Sequence, residues 1–164
     1  MIPEITRSYS LALDYLRRLV ADVPDERFSE QPANIANHPA WTIGHLIHSA
    51  QAIAGEMGLP EWLPDDWSAR FGTGSNPTSD RENYPAKSTL LESLADAEHR
   101  VLHRLSTLGE SALAQPLPDV RHRATFPTLG HAVLHILTVH TALHVGQLTV
   151  WRRAAGFGPC KSFD

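Results

Sequence analysis

Thr138-Val139-His140-Thr141-Ala142-Leu143-His144-Val145-Gly146-Gln147-Leu148 carries two histidines four residues apart in an apolar pattern. On a helix that spacing sets one imidazole a turn above the other, a geometry in which both reach a single metal ion. No proline interrupts Leu129 to Arg153, and its apolar residues recur at helical intervals, so the segment predicts one long helix. With His131 at zero on a wheel of about 100° per residue, Val133, Ile136, Leu137, Leu143, Leu148 and Trp151 fall between roughly 120° and 260°. His140 falls near 180°, His144 near 220° and Gln147 near 160°, so all three are expected to point into the buried stripe. His131 and His135, also four apart, fall near 0° and 40° beside Thr149 and Arg153 and are expected to face water.

A buried imidazole must bond something, because an unpaired polar group inside a protein costs on the order of 1 to 3 kcal/mol. One such histidine is an ordinary core residue satisfied by a carbonyl or a carboxylate. Two stacked histidines with a glutamine beside them favour metal ligation.

Composition bounds the remaining readings. A chain of 164 residues is the size of one domain, residues 1–164, able to bury about 70% of its unfolded surface. The lone cysteine, Cys160, excludes an internal disulfide framework and points to a reducing cytoplasm, where it reads as an unremarkable exposed thiol. Net charge is −4, from 14 basic and 18 acidic residues, and the scattered basic residues leave no footprint for nucleic acid. No uncharged apolar run approaches the 18 or so residues of a membrane span, and the start of the chain does not read as a signal peptide, so no membrane partner is expected.

Outward from the histidine pair, three further helices are legible. Ile5, Tyr9, Ala12, Leu13, Leu16, Leu19 and Val20 repeat at helical spacing from about Pro3 to Asp22. A polar loop follows, with a short turn of helix near Glu26 to Ser29. Asn37-His38-Pro39 then signals a second helix, capped by Asn37 or His38 and running to about Met57 before Gly58 and Pro60. Within it His45 lies beside Ser49, Ala52 and Ile53, whereas His48 lies with Gly44, Gln51 and Gly55, which makes His45 the better candidate to enter the core. Leu59 to Pro85, with Trp62, Trp67 and Phe71, is a crossover whose aromatics seal one end of the fold or form a lid. A third helix is expected from Ser88, as cap, to Leu108 before Gly109, with His99 and His103 solvated outside its leucine stripe. Thr128 caps the fourth. Four amphipathic helices joined by one long connection predict an all-α, four-helix bundle, a fold that builds metal sites from facing helices.

Asn37-His38-Pro39-Ala40-Trp41-Thr42-Ile43-Gly44-His45-Leu46, followed by His140-x-x-x-His144-x-Gly146-Gln147-Leu148, resembles the DinB/YfiT-like superfamily of metal-dependent enzymes. The resemblance spans nearly the whole chain and includes the segment from Asp25 to Pro32 and Arg152-Arg153-x-x-Gly156. It implies an up-down-down-up bundle in which His45, His140 and His144 bind a divalent cation, and a homodimer. It also implies a small-molecule substrate and, by similarity to bacillithiol transferases and mycothiol-dependent maleylpyruvate isomerase, use of a low-molecular-weight thiol. The chain departs from the commonest pattern at Thr141, Leu143 and Val145, where relatives often carry polar or charged residues.

Three neutral imidazoles with open positions form a catalytic kind of site, suited to Zn²⁺, Ni²⁺ or Fe²⁺. Gln147 is expected to orient a ligand histidine or the substrate, and Trp41 and Ser49 to line the site. No carboxylate stands at the spacing of a general base: Glu56 lies about 16 Å beyond His45 along the helix axis. The rival reading is a non-catalytic bundle dimer in which metal or hydrogen-bonded histidines only hold the core.

Overall fold

The computed structural model describes residues 1–160 and, among them, is helical without a strand; one isolated antiparallel bridge joins Pro116 and Thr128. Four long helices carry the fold: α1 (Ile2–Val20), α2 (Pro39–Glu56), α4 (Lys87–Thr107) and α6 (Leu129–Ala154). Two short ones, α3 (Trp67–Phe71) and α5 (Glu110–Leu113), lie in the connections. The long helices end within two residues of the limits their apolar patterns predict.

α1 buries Ile5, Tyr9, Leu13, Leu16 and Leu19 in one stripe, and α4 buries Leu90, Leu94, Ala97, Val101 and Leu105. That spacing of three and four is the signature of a helix with one face in the core. α2 differs, because it is buried on nearly every side from Pro39 to Leu46 and again at Ser49, Ala50, Ile53 and Ala54. It packs against α4, α3 and α6, and α1 packs against α6 and α4, so each long helix touches two others.

His38 caps α2, its Nδ1 accepting the Trp41 N–H at 3.3 Å, and Thr128 caps α6 by accepting from the His131 N–H. Ser88 does not cap α4. The cap position is Ala86, and the first free N–H, that of Lys87, is taken instead by the Asp25 carboxylate at 2.6 Å. Arg81 holds the same carboxylate and keeps its pKa below the usual range. Lys87 in turn donates to the carbonyls of Val20, Ala21 and Val23 at the end of α1, where a cation is favoured by the helix dipole.

α6 is not one regular helix. Between His135 and His140 it opens into π-helical turns before resuming at Thr141. A π turn spends one more residue than an α turn, so everything after it is rotated by about 100° from where a regular wheel puts it. Leu143 and Gln147, expected in the buried stripe, are exposed, and Thr141, Val145 and Arg152 are buried in their place. Thr141 donates to the Ile136 carbonyl five residues back at 3.0 Å, supporting the widened turn.

Buried Arg152 is satisfied by Asp22 and by the carbonyls of Leu19, Phe157 and Gly158. Leu134, Val139, Leu143 and Val150 remain exposed on the other side of α6. By length and hydropathy this helix alone among the described residues could cross a membrane, contrary to the sequence expectation that no segment approaches a span. Its mean hydropathy is high because apolar residues lie on both the core face and that outer face. His135, expected in water, is half-buried against Phe126, and Cys160, expected exposed, is half-buried against the core.

Candidate metal centre

The site is built from the middle of α2 and the widened turn of α6. His45 is 5% exposed, and its Nδ1 lies 2.7 Å from the carbonyl oxygen of Phe71 in α3. A carbonyl can only accept, so the His45 proton sits on Nδ1 and the lone pair of Nε2 is turned into the core. His144 is fixed in the same way. Its Nδ1 donates to the Gln147 Oε1 at 3.1 Å, and that oxygen also accepts from the Asn37 Nδ2 at 2.9 Å.

The Nε2 atoms of His45 and His140 stand 3.2 Å apart, and one ring nitrogen from each of His45, His140 and His144 falls within 4.8 Å of the others. This group could hold a metal ion. Metal–imidazole bonds of about 2.0 to 2.1 Å on a tetrahedral ion put two ligand nitrogens roughly 3.3 Å apart, so the close pair already has ligand spacing. The His140 Nδ1 is buried without a partner, so this ring's polar capacity is directed at the cluster alone.

Burial holds all three rings neutral at pH 7. Desolvation pushes His140 and His144 down to about 4, reinforced for His140 by the neighbouring His144 and His45, and for His144 by His45. His45 is lowered by desolvation too, against an upward pull from the Phe71 carbonyl. Neutral imidazole is the form that binds metal.

Trp41 stacks on His45 with centroids 4.8 Å apart and planes 8° from parallel, and its Nε1 donates to the Ser75 hydroxyl at 2.9 Å. A cleft of about 640 Å³ between α2, the crossover, the 114–128 loop and α6 reaches this centre, with His140, His48 and Ser49 in its wall. His48 is half-buried, and its ring lies 6.4 Å from that of His45. Glu56 also faces the cleft, but its carboxylate accepts from the Asp119 N–H at 3.0 Å and so holds the loop. His131, His99 and His103 are exposed and stand outside the cluster.

Sequence reasoning missed three parts of this arrangement: the widened turn, Asn37 as partner of Gln147, and the Phe71 carbonyl behind His45. A main-chain oxygen leaves no mark in residue types. Gly44 was the available signal, a glycine inside a helix followed by an aromatic-rich crossover.

No curated protein and no solved structure was found to match this chain. A profile of the DinB superfamily matches residues 8–148, which include every residue of the histidine cluster. The chain belongs to the DinB superfamily.

Proposed function

We propose that this protein is a divalent-metal-dependent transferase or hydrolase acting on a small molecule, with His45, His140 and His144 as metal ligands and a low-molecular-weight thiol as cosubstrate. The observation that carries this reading is the convergence of three neutral imidazoles from two helices, one of which, His140, lines a solvent-reaching cleft. Zn²⁺, Ni²⁺ or Fe²⁺ held there would supply Lewis acidity, bringing deprotonation of a thiol or a water into the neutral range.

The protein's own groups do the rest. Gln147, steadied by Asn37, and the Phe71 carbonyl keep the Nε2 atoms of His144 and His45 unprotonated and aimed inward. Trp41 covers the flat face of His45 and shields it from water. Ser49 and His48 present a hydroxyl and an imidazole to a substrate in the cleft, whose volume suits a small molecule. Under the same reading the four long helices form an up-down-down-up bundle, supported by the packing of α1 on α4 and α6 and of α2 on the same two helices. The protein is a cytoplasmic homodimer, for which the exposed Leu134, Val139, Leu143 and Val150 supply an apolar face.

Metal analysis of purified protein tests the assignment. Wild type prepared with excess metal should carry about one equivalent per chain, and the alanine variants of His45, His140 and His144 far less. Equally little metal in all four proteins sinks it. With the metal bound, X-ray absorption should show a metal–sulfur bond when the thiol is added, and its absence removes the thiol from the proposal.

A further inference from the structure

The crossover between α2 and α4 does more than close the fold. Its helix α3 lies against α2 with Trp67 and Phe71 buried at 6% and 0% exposure. The contact has two hydrogen bonds of opposite direction: the Trp67 Nε1 donates to the Gly44 carbonyl at 3.0 Å, and the Phe71 carbonyl accepts from the His45 Nδ1 at 2.7 Å. Both partners on α2 are adjacent residues, so α3 grips the helix at the position of the histidine. Gly44 makes the approach possible. A Cβ built there would stand well inside van der Waals contact of three atoms of the Phe71 ring, and no flexible side-chain end is available to yield.

We propose that α3 is the positioning element of the metal centre: the Phe71 carbonyl fixes the tautomer and direction of His45, and Gly44 is present because any side chain there would push that carbonyl away. Partners behind a ligand imidazole set its ring orientation and basicity, and their loss weakens metal binding by about ten- to a hundredfold. The claim about metal affinity rests on His45 being a ligand, whereas the claim about its tautomer does not. α3 also contributes Trp67 and Ser68 to the wall of the cleft. One segment therefore touches both the bound substrate's space and the histidine that faces the cluster.

Two readouts separate positioning from mere support of the fold. In metal-free protein, ¹⁵N spectra of the imidazoles should show His45 as a pure Nδ1–H tautomer in wild type and as a tautomer mixture in Gly44→Ala. In metal competition against a chelator, Gly44→Ala should lose about ten- to a hundredfold in affinity. Adding Phe71→Leu to Gly44→Ala makes room while leaving the main-chain oxygen in place, and should recover most of the lost affinity. Leu105→Ala, a buried change near the far end of α2 where Arg104 meets the Met57 carbonyl, should destabilise the fold without altering either readout.

Should Gly44→Ala fail to fold, Trp67→Phe, which removes the bond to the Gly44 carbonyl together with part of a buried ring, should move both readouts in the same direction by a smaller amount. A folded Gly44→Ala, or failing that Trp67→Phe, with a wild-type tautomer overturns the positioning role. So does a loss of affinity that Leu105→Ala reproduces. If wild type binds no metal, the ligand assignment falls and the tautomer measurement alone decides the inference.

Discussion

α2 keeps one helical phase from Pro39 to Glu56, whereas α6 changes phase between His135 and His140, and each puts histidine into the same cluster. On α2 a regular helix is enough, because α3 and its carbonyl hold His45 from outside. On α6 no outer element grips His140, and the widened turn within the helix sets its direction. A regular α6 would carry both histidines into the middle of the stripe that faces the core. The rotation of about 100° takes His144 toward the edge of the buried face, next to His45 and Trp41 of α2. Widened turns recur at functional sites for this reason: they re-aim side chains without breaking the helix.

The phase change makes its largest prediction at Val145, which a regular wheel puts in water and the structure buries at 5% exposure. Val145→Asp should therefore cost more than about 4 kcal/mol, by placing an unpaired carboxylate in the core. Urea unfolding measures it. A cost below about 1 kcal/mol would mean that α6 keeps one phase throughout.

Acid gives a second, smaller contrast between the two helices. His38 at the start of α2, and His140 and His144 on α6, are each held near 4 by burial, against about 6.5 when unfolded. Between those values the unfolded chain binds more protons than the folded one. Stability of the metal-free protein should be full above pH 6.5 and fall steadily toward pH 4. Saturating metal should add a nearly constant stabilisation across this range, because the native α6 rings are already unprotonated and the unfolded ones still take up protons once the metal leaves. Denaturant midpoints measured from pH 7.5 to 4.5, with and without metal, should therefore both fall with pH and run parallel, the metal series offset upward. Superimposable curves in the two series would show that metal does not engage the α6 histidines.

The same contrast explains what could be read from the residues. On α2 the cap at His38 and the inward turn of His45 follow from local rules, a start signal and a regular wheel, and both stand in the structure. On α6 the pair His140 and His144 was legible from spacing, but the burial of Thr141, Val145 and Arg152 was not. One extra residue in about seven turns is too small a change of period to separate from the scatter of apolar positions, and only tertiary packing fixes where it falls. The Asp25 cap on α4 and the Phe71 carbonyl behind His45 come from residues 62 and 26 positions away, beyond any local rule.

The smallest effect completes the test of phase. Leu143 belongs to the apolar stripe on a regular wheel, yet it is 60% exposed, so its side chain gives up little on replacement. Leu143→Asp should change stability by no more than about 0.5 kcal/mol when unfolding is followed at a protein concentration too low for self-association. The pair of substitutions is informative because the two positions are two residues apart on one helix and exchange roles between the two phases. If Leu143→Asp proved the costly change and Val145→Asp the harmless one, the widened turn would be absent in solution. His140 and His144 would then sit in the middle of the core stripe, away from the cleft edge on which the proposed chemistry depends.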